Sequence, residues 1–375
     1  ILLPAVAGGS LVLCTPSNRL VALDPATGKE RWRFDPQIQV TKAPKRLKCL
    51  GVTYWHDNAA PAGQQCAHRI LAGTNDRRLL AVDAVSGKPC PGFGTNGQVD
   101  VNPLFAATKP APDDPWGVQF SAPPVVVNGV LVIGHINNMK NQYASAPSGA
   151  LRAFDARTGE FRWSFDPIPR SKDEPQAGDW TPESRLTTGG ANAWSLLSVD
   201  EKRGIGYFPL GSPTFDLWGG DRQGDNLFGN TLLALDLRTG KRLWHYQLLH
   251  HDLWDYDLVT GPKLLTVMHS GKPVDIVAQA TKFGLLYVFD RVTGRPVWPI
   301  EERPVPQSDV PGEHSSPTQP FPTRPAPFSR LRFTEADVNP YLDEAEKQRV
   351  IGILRNSRNE GIFTPLSATK DQISV

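Results

Sequence analysis

The chain has no long hydrophobic run, no excess of charge of either sign, and little cysteine. Nowhere in its 375 residues does an apolar stretch approach the ~20 residues that a membrane-spanning helix needs. Lys and Arg number 40 against 38 Asp and Glu, a net charge of +2, so there is no electrostatic case for nucleic acid or a membrane surface as partner. The four cysteines, Cys14, Cys49, Cys66 and Cys90, form no C-x-x-C pair, which argues against a zinc site. In an exported protein two of Cys49, Cys66 and Cys90 could be joined; buried free thiols are the other reading, and spacing does not choose. No P-loop and no nucleophile elbow occur. The G-x-G-x-x-G string at Gly92-Phe93-Gly94-Thr95-Asn96-Gly97 runs into strand-like Val99-Asp100-Val101. A dinucleotide site needs a helix there, so the string reads as a turn.

What the chain does have is a repeat. Leu23-Asp24-x-x-Thr27-Gly28, Val82-Asp83-x-x-Ser86-Gly87, Phe154-Asp155-x-x-Thr158-Gly159, Leu235-Asp236-x-x-Thr239-Gly240 and Phe289-Asp290-x-x-Thr293-Gly294 share one pattern. Four of the five carry a tryptophan eight residues after the Asp: Trp32, Trp163, Trp244 and Trp298. An apolar run, an Asp, a turn closed by Gly and an aromatic-bearing second run describe a β-hairpin. The Asp positions lie 59, 72, 81 and 54 residues apart, blade-sized intervals that point to a β-propeller. The 33 glycines and 35 prolines suit such a turn-rich chain.

The expectation is an all-β fold, one propeller domain over residues 1–375. Ile1 lies inside an apolar strand-like stretch and Val375 shortly follows Gly361-Ile362-Phe363-Thr364-Pro365. A propeller hides its sheet edges by closing, so five repeats with such ends are read as an incomplete ring; a five-bladed ring is the alternative. Residues 122–134 form a hairpin turning at Asn128-Gly129. Residues 301–330, with eight prolines, are expected as a long extended loop insertion. Asn339-Pro340 should open a helix reaching about Leu354.

One segment breaks the pattern: His250-His251-Asp252-Leu253-Trp254-Asp255-Tyr256-Asp257. It follows the fourth repeat, where a connection between blades should lie. Two His and three Asp are costly to bury without a purpose. A solvated loop with two aromatic anchors is one reading. A metal site is another, although adjacent His250 and His251 make a poor chelate on a strand.

His-His-Asp-Leu-Trp-Asp-x-Asp, placed after Thr-Gly-Lys-x-x-Trp, resembles the quinoprotein dehydrogenases that use pyrroloquinoline quinone (PQQ), above all the membrane-type glucose dehydrogenase group. Cys49-x-Gly51-Val52-Thr53-Tyr54, Asp216-x-Trp218-Gly219-Gly220, Pro317-Thr318-Gln319-Pro320-Phe321 and Glu360-Gly361-Ile362-Phe363-Thr364-Pro365 carry the same resemblance along the chain. It implies an eight-bladed propeller of quinoprotein type, of which about five repeats are here.

The resemblance also implies roles. Asp255 would be the general base for the substrate hydroxyl. Lys282, 27 residues on, would touch the quinone oxygens, where an ammonium offsets developing charge. Trp194, in Gly190-x-Asn192-x-Trp194, would stack on the cofactor plane. Ser121 would reach the cofactor carboxylates. Ca²⁺, or Mg²⁺, would be held by Thr214 and by Asn138, which offers a neutral oxygen where the family has a carboxylate. The glucose-type group has a functional His directly after the Tyr of the Cys-x-Gly-Val segment; here Trp55 takes that slot and His56 follows, so His56 is the candidate with a one-residue slip. The implied activity is oxidation of a sugar, polyol or other alcohol in the periplasm, with ubiquinone or cytochrome c as electron acceptor and any membrane anchor in regions absent from this chain. The rival reading is a non-catalytic scaffold of the outer-membrane assembly type, which shares the repeat without the cofactor.

Overall fold

A computed structural model describes residues 4–38, 47–61, 63–105, 117–137, 147–174 and 176–373. Each Asp-x-x-Thr/Ser-Gly segment forms the same turn. In the first, the Asp24 carboxylate accepts the Ala26 and Thr27 amides and the Thr27 hydroxyl, while the Gly28 amide closes onto the Asp24 carbonyl. Asp83, Asp155, Asp236 and Asp290 repeat the arrangement. The Gly lies at φ between +69° and +76° in every copy, backbone that residues with a Cβ rarely adopt.

In the first four sheets these turns follow the third strand and lead to the fourth; the fifth turn follows the last strand of a three-stranded sheet. The first sheet is Ala5–Ala7, Ser10–Cys14, Leu20–Leu23 and Glu30–Phe34. The second is Thr53–His56, His68–Gly73, Arg78–Asp83 and Gln98–Asp100. Val125–Val127, Val130–Ile133, Leu151–Asp155 and Phe161–Phe165 form the third; Ser198–Asp200, Ile205–Pro209, Thr231–Asp236 and Arg242–Gln247 form the fourth. The fifth is three-stranded: Lys263–His269, Lys272–Ala280 and Leu286–Asp290. The fold is mostly β and of propeller type, as the repeat predicts.

The sheets stack face to face. Neighbouring residues on a strand point to opposite faces, so Ile70 packs toward the first sheet and Leu71 toward the third. Leu131 and Val132, and Leu232 and Leu233, divide in the same way between adjoining layers. Inner strands are therefore apolar on both sides, and Ile205–Pro209 is buried throughout. The tryptophans lock the layers. The indole N–H of Trp32 donates to the Ala84 carbonyl of the next sheet's turn, that of Trp163 to Leu237 and that of Trp244 to Arg291. Each ring lies against the turn glycine of that neighbour. The second repeat has no such Trp, and Val99 fills the place against Gly159.

Some expectations need correction. The four cysteines form two disulfides, Cys14–Cys49 and Cys66–Cys90; Cys14 was not among the expected partners because its pairing crosses from the first sheet to the entry of the second. The proline-rich segment is not a loop throughout, since Ile300–Pro304 pairs with Thr318–Pro322. Its prolines are accommodated because the two strands form a sheet of their own. The helix spans Glu344–Asn356 with Asp343 as its cap; the Asn339 side chain instead accepts the Tyr341 amide within a turn. The hairpin at Asn128-Gly129 forms as expected, with both residues at positive φ, and the G-x-G-x-x-G string precedes the short strand Gln98–Asp100.

The Trp–Gly docking can be tested with two substitutions. Gly28 and Gly240 share the same backbone, φ +70° and +71°, but a Cβ meets nothing at Gly28 and comes 2.5 Å from the Trp163 ring at Gly240. Gly28→Ala should cost about 1–2 kcal/mol for the left-handed backbone. Gly240→Ala should cost about 1–3 kcal/mol more through overpacking. Urea denaturation of both variants measures the difference; equal losses would show that the ring does not rest on the turn.

Candidate active site

In a four-stranded antiparallel meander the turns between strands one and two and between three and four lie at one end. The turn between strands two and three and the exit to the next sheet lie at the other. Thr214 and Lys282 sit between second and third strands, and Ser121, Trp194 and Asp255 sit between sheets. All five therefore belong to the end opposite the Asp-x-x-Thr/Ser-Gly turns. His56 does not. It ends a first strand, pairs with His68 beside the Arg69–Asp83 pair, and stacks on the His68 ring at 4.2 Å. Asn138 lies outside the described residues.

Trp194 and Thr214 come together because residues 189–194 run beside residues 211–214. Gly190 bridges Pro213, the Ala191 amide donates to the Ser212 carbonyl, and Thr214 Oγ1 accepts the Gly189 amide at 3.1 Å. The Trp194 indole N–H donates to Asp257 Oδ2 at 2.9 Å. Asp257 Oδ1 accepts the Ser212 amide at 2.6 Å and its hydroxyl at 3.1 Å. One carboxylate thus fixes the edge of the indole and ties it to the Thr214 loop. Two residues before it stands Asp255, at φ +57°. Lys282 Nζ lies 3.2 Å from Asp255 Oδ2 and donates to the Asp255 carbonyl at 2.6 Å. A cavity of about 300 Å³ is lined by Phe215, Asp216, Leu217 and Trp218, directly after Thr214.

The three Asp residues of the loop differ in kind. Asp252 is buried and accepts the Trp254 and Tyr256 amides and the Asn230 side chain. Asp257 is buried against Trp194 and Ser212. Asp255 is partly exposed beside an equally accessible ammonium. The aromatics are anchors: the Trp254 indole donates to the Thr364 carbonyl and the Tyr256 hydroxyl to the Ile362 carbonyl. The histidines diverge, as two neighbours on a chain do. His250 meets Glu302 and Gln247, while buried His251 bonds the Gly224 carbonyl through Nδ1. Among the described residues no group of three His, Cys, Asp or Glu side chains could hold a metal ion.

Sequence reasoning missed Arg222 and Asn230. Arg222 is fully buried and donates to the carbonyls of Phe215 and Asp252 and to Asn226 Oδ1. Asn230 donates to Asp252 Oδ2 and to the Tyr256 carbonyl. Their partners are largely main chain and lie up to 30 residues away, which leaves no motif to read. The Asp221-Arg222 pair directly after Trp218-Gly219-Gly220 was the one available signal.

Comparison with known proteins decides the family. The sequence profile described as "Glucose/ethanol/alcohol dehydrogenase, beta-propeller domain" of the PQQ family matches residues 2–375. The chain belongs to the PQQ-dependent dehydrogenases. It is 38% identical over 323 residues to the glycerol dehydrogenase large subunit of Gluconobacter oxydans (strain 621H), covering 85% of this chain and 42% of that one. It is 36% identical over 375 residues to the quinoprotein glucose dehydrogenase of Escherichia coli (strain K12), covering 97% and 45%. The solved quinohemoprotein alcohol dehydrogenase ADHIIG of Pseudomonas putida HK5 superposes with a TM-score of 0.66 at 26% identity, over 85% of this chain and 44% of that chain. The chain thus spans less than half the length of these quinoproteins.

The residues present fit the family's cofactor. PQQ is planar, anionic and rich in acceptors. Trp194 offers a ring whose edge is already fixed, Lys282 offers a cation, and the buried Ser121 hydroxyl has no hydrogen-bond partner among the described residues.

Burial in this quinoprotein has a pH signature. It pushes His135 and His251 down to about 3 and His245 down to about 4, each with an arginine, Arg152, Arg222 or Arg242, adding to the effect. Burial raises Asp252 to about 7. In the unfolded chain the histidines titrate near ~6.5 and the Asp near ~3.9. As pH falls below about 6.5 the unfolded state takes up three protons that the folded state refuses, so the histidines' contribution falls. Asp252 acts oppositely: its contribution falls as pH rises from about 4 to about 7. Three protons outweigh one, so stability should drop by up to about 2.7 kcal/mol per pH unit between about pH 6 and 5. Thermal unfolding across that range checks this; a flat midpoint would mean that the imidazoles reach solvent in the native state.

Proposed function

We propose that this chain is the catalytic propeller, or much of it, of a PQQ-dependent dehydrogenase that oxidises a sugar, polyol or other alcohol and passes electrons to ubiquinone or cytochrome c. The observation that carries this reading is the gathering of Trp194, Thr214, Asp255 and Lys282 from four separate loops, joined through Ser212 and Asp257. A scaffold without cofactor needs no such gathering. The names of the relatives, glycerol and glucose dehydrogenases, suit a polyhydroxylated substrate. The two disulfides suit an oxidising compartment such as the periplasm, and among the described residues no helix is long and apolar enough to cross a membrane.

Asp255 is the base in this reading. Asp252 and Asp257 direct their oxygens inward, to amides, hydroxyl and indole, whereas Asp255 is accessible. It accepts the hydroxyl proton of the alcohol, with Lys282 holding the carboxylate in place. Lys282 would also offer its remaining N–H donor to the cofactor oxygens. Trp194 provides the platform, and its bond to Asp257 prevents the ring from turning. Ser121 would donate to the cofactor carboxylates, and Thr214, with Asn138, would supply oxygens to Ca²⁺ or Mg²⁺. PQQ, when bound, supplies the acceptor for the hydride leaving the alcohol carbon. His56 has no part in this reading, since its strand end lies at the turn side of its sheet.

The full-length protein, loaded with PQQ and Ca²⁺, should reduce an electron-accepting dye in the presence of one or more of a panel of sugars, polyols and alcohols. Asp255→Asn should lower kcat by about 10²–10⁴-fold, the usual contribution of a positioned base, with PQQ affinity nearly unchanged. Lys282→Ala should weaken PQQ binding and turnover together. Failure of the parent protein to bind PQQ would favour the scaffold; an Asp255→Asn variant with parental kcat would move the base elsewhere.

A further inference from the structure

The loop that carries Asp255 is held from beneath by a second carboxylate. Asp252 Oδ1 accepts the Trp254 amide at 2.8 Å, and Oδ2 accepts the Tyr256 amide at 2.9 Å. These are the residues on either side of Asp255. The residue between them is in left-handed backbone, φ +57°, a conformation uncommon for a residue with a Cβ. Asn230 Nδ2 donates to Oδ2 at 2.8 Å and to the Tyr256 carbonyl at 3.1 Å, so the same amide grips the carboxylate and the loop. Fully buried Arg222 binds the Asp252 carbonyl and, at 2.8 Å, the Phe215 carbonyl. That ties the turn to the residue after Thr214.

From this geometry we infer that Asp252 is a positioning residue for catalysis, whose single carboxylate grips the backbone on both sides of Asp255 and holds that side chain toward Lys282. The inference rests on Asp255 being the base. Burying a carboxyl is costly, and an apolar residue could fill the same space without that cost. What an apolar residue cannot do is accept two amides and a side-chain donor at once. Asp257, two residues beyond Asp255, fixes Trp194 in a comparable way, so the base stands between two buried carboxylates that each orient one part of the site. Asp252 itself is buried inside the loop and acts through Asp255 alone.

The test uses the full-length protein loaded with PQQ and Ca²⁺. Asp252→Asn keeps the volume but sets an NH₂ group against at least one backbone N–H in either rotamer. Its kcat should fall by about 10²-fold, as small misplacements of a reacting group do. KM and the PQQ dissociation constant, read by quenching of tryptophan fluorescence, should change little. Combined with Asp255→Asn, the substitution should cause no further loss, because a residue that acts through another has nothing left to act on. Asn230→Gly keeps the left-handed backbone of that position, φ +47°, and removes the donor; it should give a smaller fall in kcat that likewise vanishes in the Asp255→Asn background. It decides the matter if Asp252→Asn does not fold. Parental kcat in whichever of these variants folds, or a loss that persists in the Asp255→Asn background, overturns the positioning role while leaving Asp255 as base. Parental kcat in Asp255→Asn alone overturns the reading beneath it.

Discussion

Everything in this protein is built around one contact: a tryptophan on the fourth strand of a sheet, resting on the turn glycine of the next. The Asp carboxylate rigidifies the turn by accepting its amides, the glycine leaves a flat bare spot, and the indole covers that spot while donating to the carbonyl after the Asp. The contact combines buried area with one hydrogen bond, so it sets both the spacing and the angle of neighbouring sheets. Where the tryptophan is absent, at the second repeat, a valine fills the same spot. The layers between sheets can then be wholly apolar, since polar turn groups are satisfied locally.

This arrangement divides the molecule into two ends with different duties. One end carries the repeated Asp-x-x-Thr/Ser-Gly turns, four of them covered by a side chain of the preceding sheet. The other collects the connections between sheets and the turns between second and third strands, which can lengthen without disturbing the docking. The long excursions at residues 210–230 and 248–262 are of this kind. The proposed site lies where the fold tolerates insertion, with residues from four loops contributing to it.

The polar interior at that end is costly. Arg222, His251 and Asp252 are all buried, and burial opposes the charged form of each. The main-chain carbonyls around Arg222 and the amides around Asp252 offset part of that cost. Stability alone does not call for such groups. Their effect is to hold a loop of otherwise unfavourable backbone in a single shape.

The sequence by itself determined the hairpins, their recurrence and the propeller-type fold, because an Asp, a Thr and a Gly at fixed spacing encode a local turn whose hydrogen bonds close within six residues. It also marked the 250–257 loop, since a dense run of polar and aromatic residues breaks the repeat. Tertiary structure decided the rest. Only strand direction separates the end that holds Asp255 from the end that holds His56, and local pattern is blind to it. Only burial distinguishes Asp252, Asp255 and Asp257, which look alike as letters. The Cys14–Cys49 bridge, the paired strands within the proline-rich segment and the role of Arg222 all depend on partners far along the chain, and no spacing rule reaches that far.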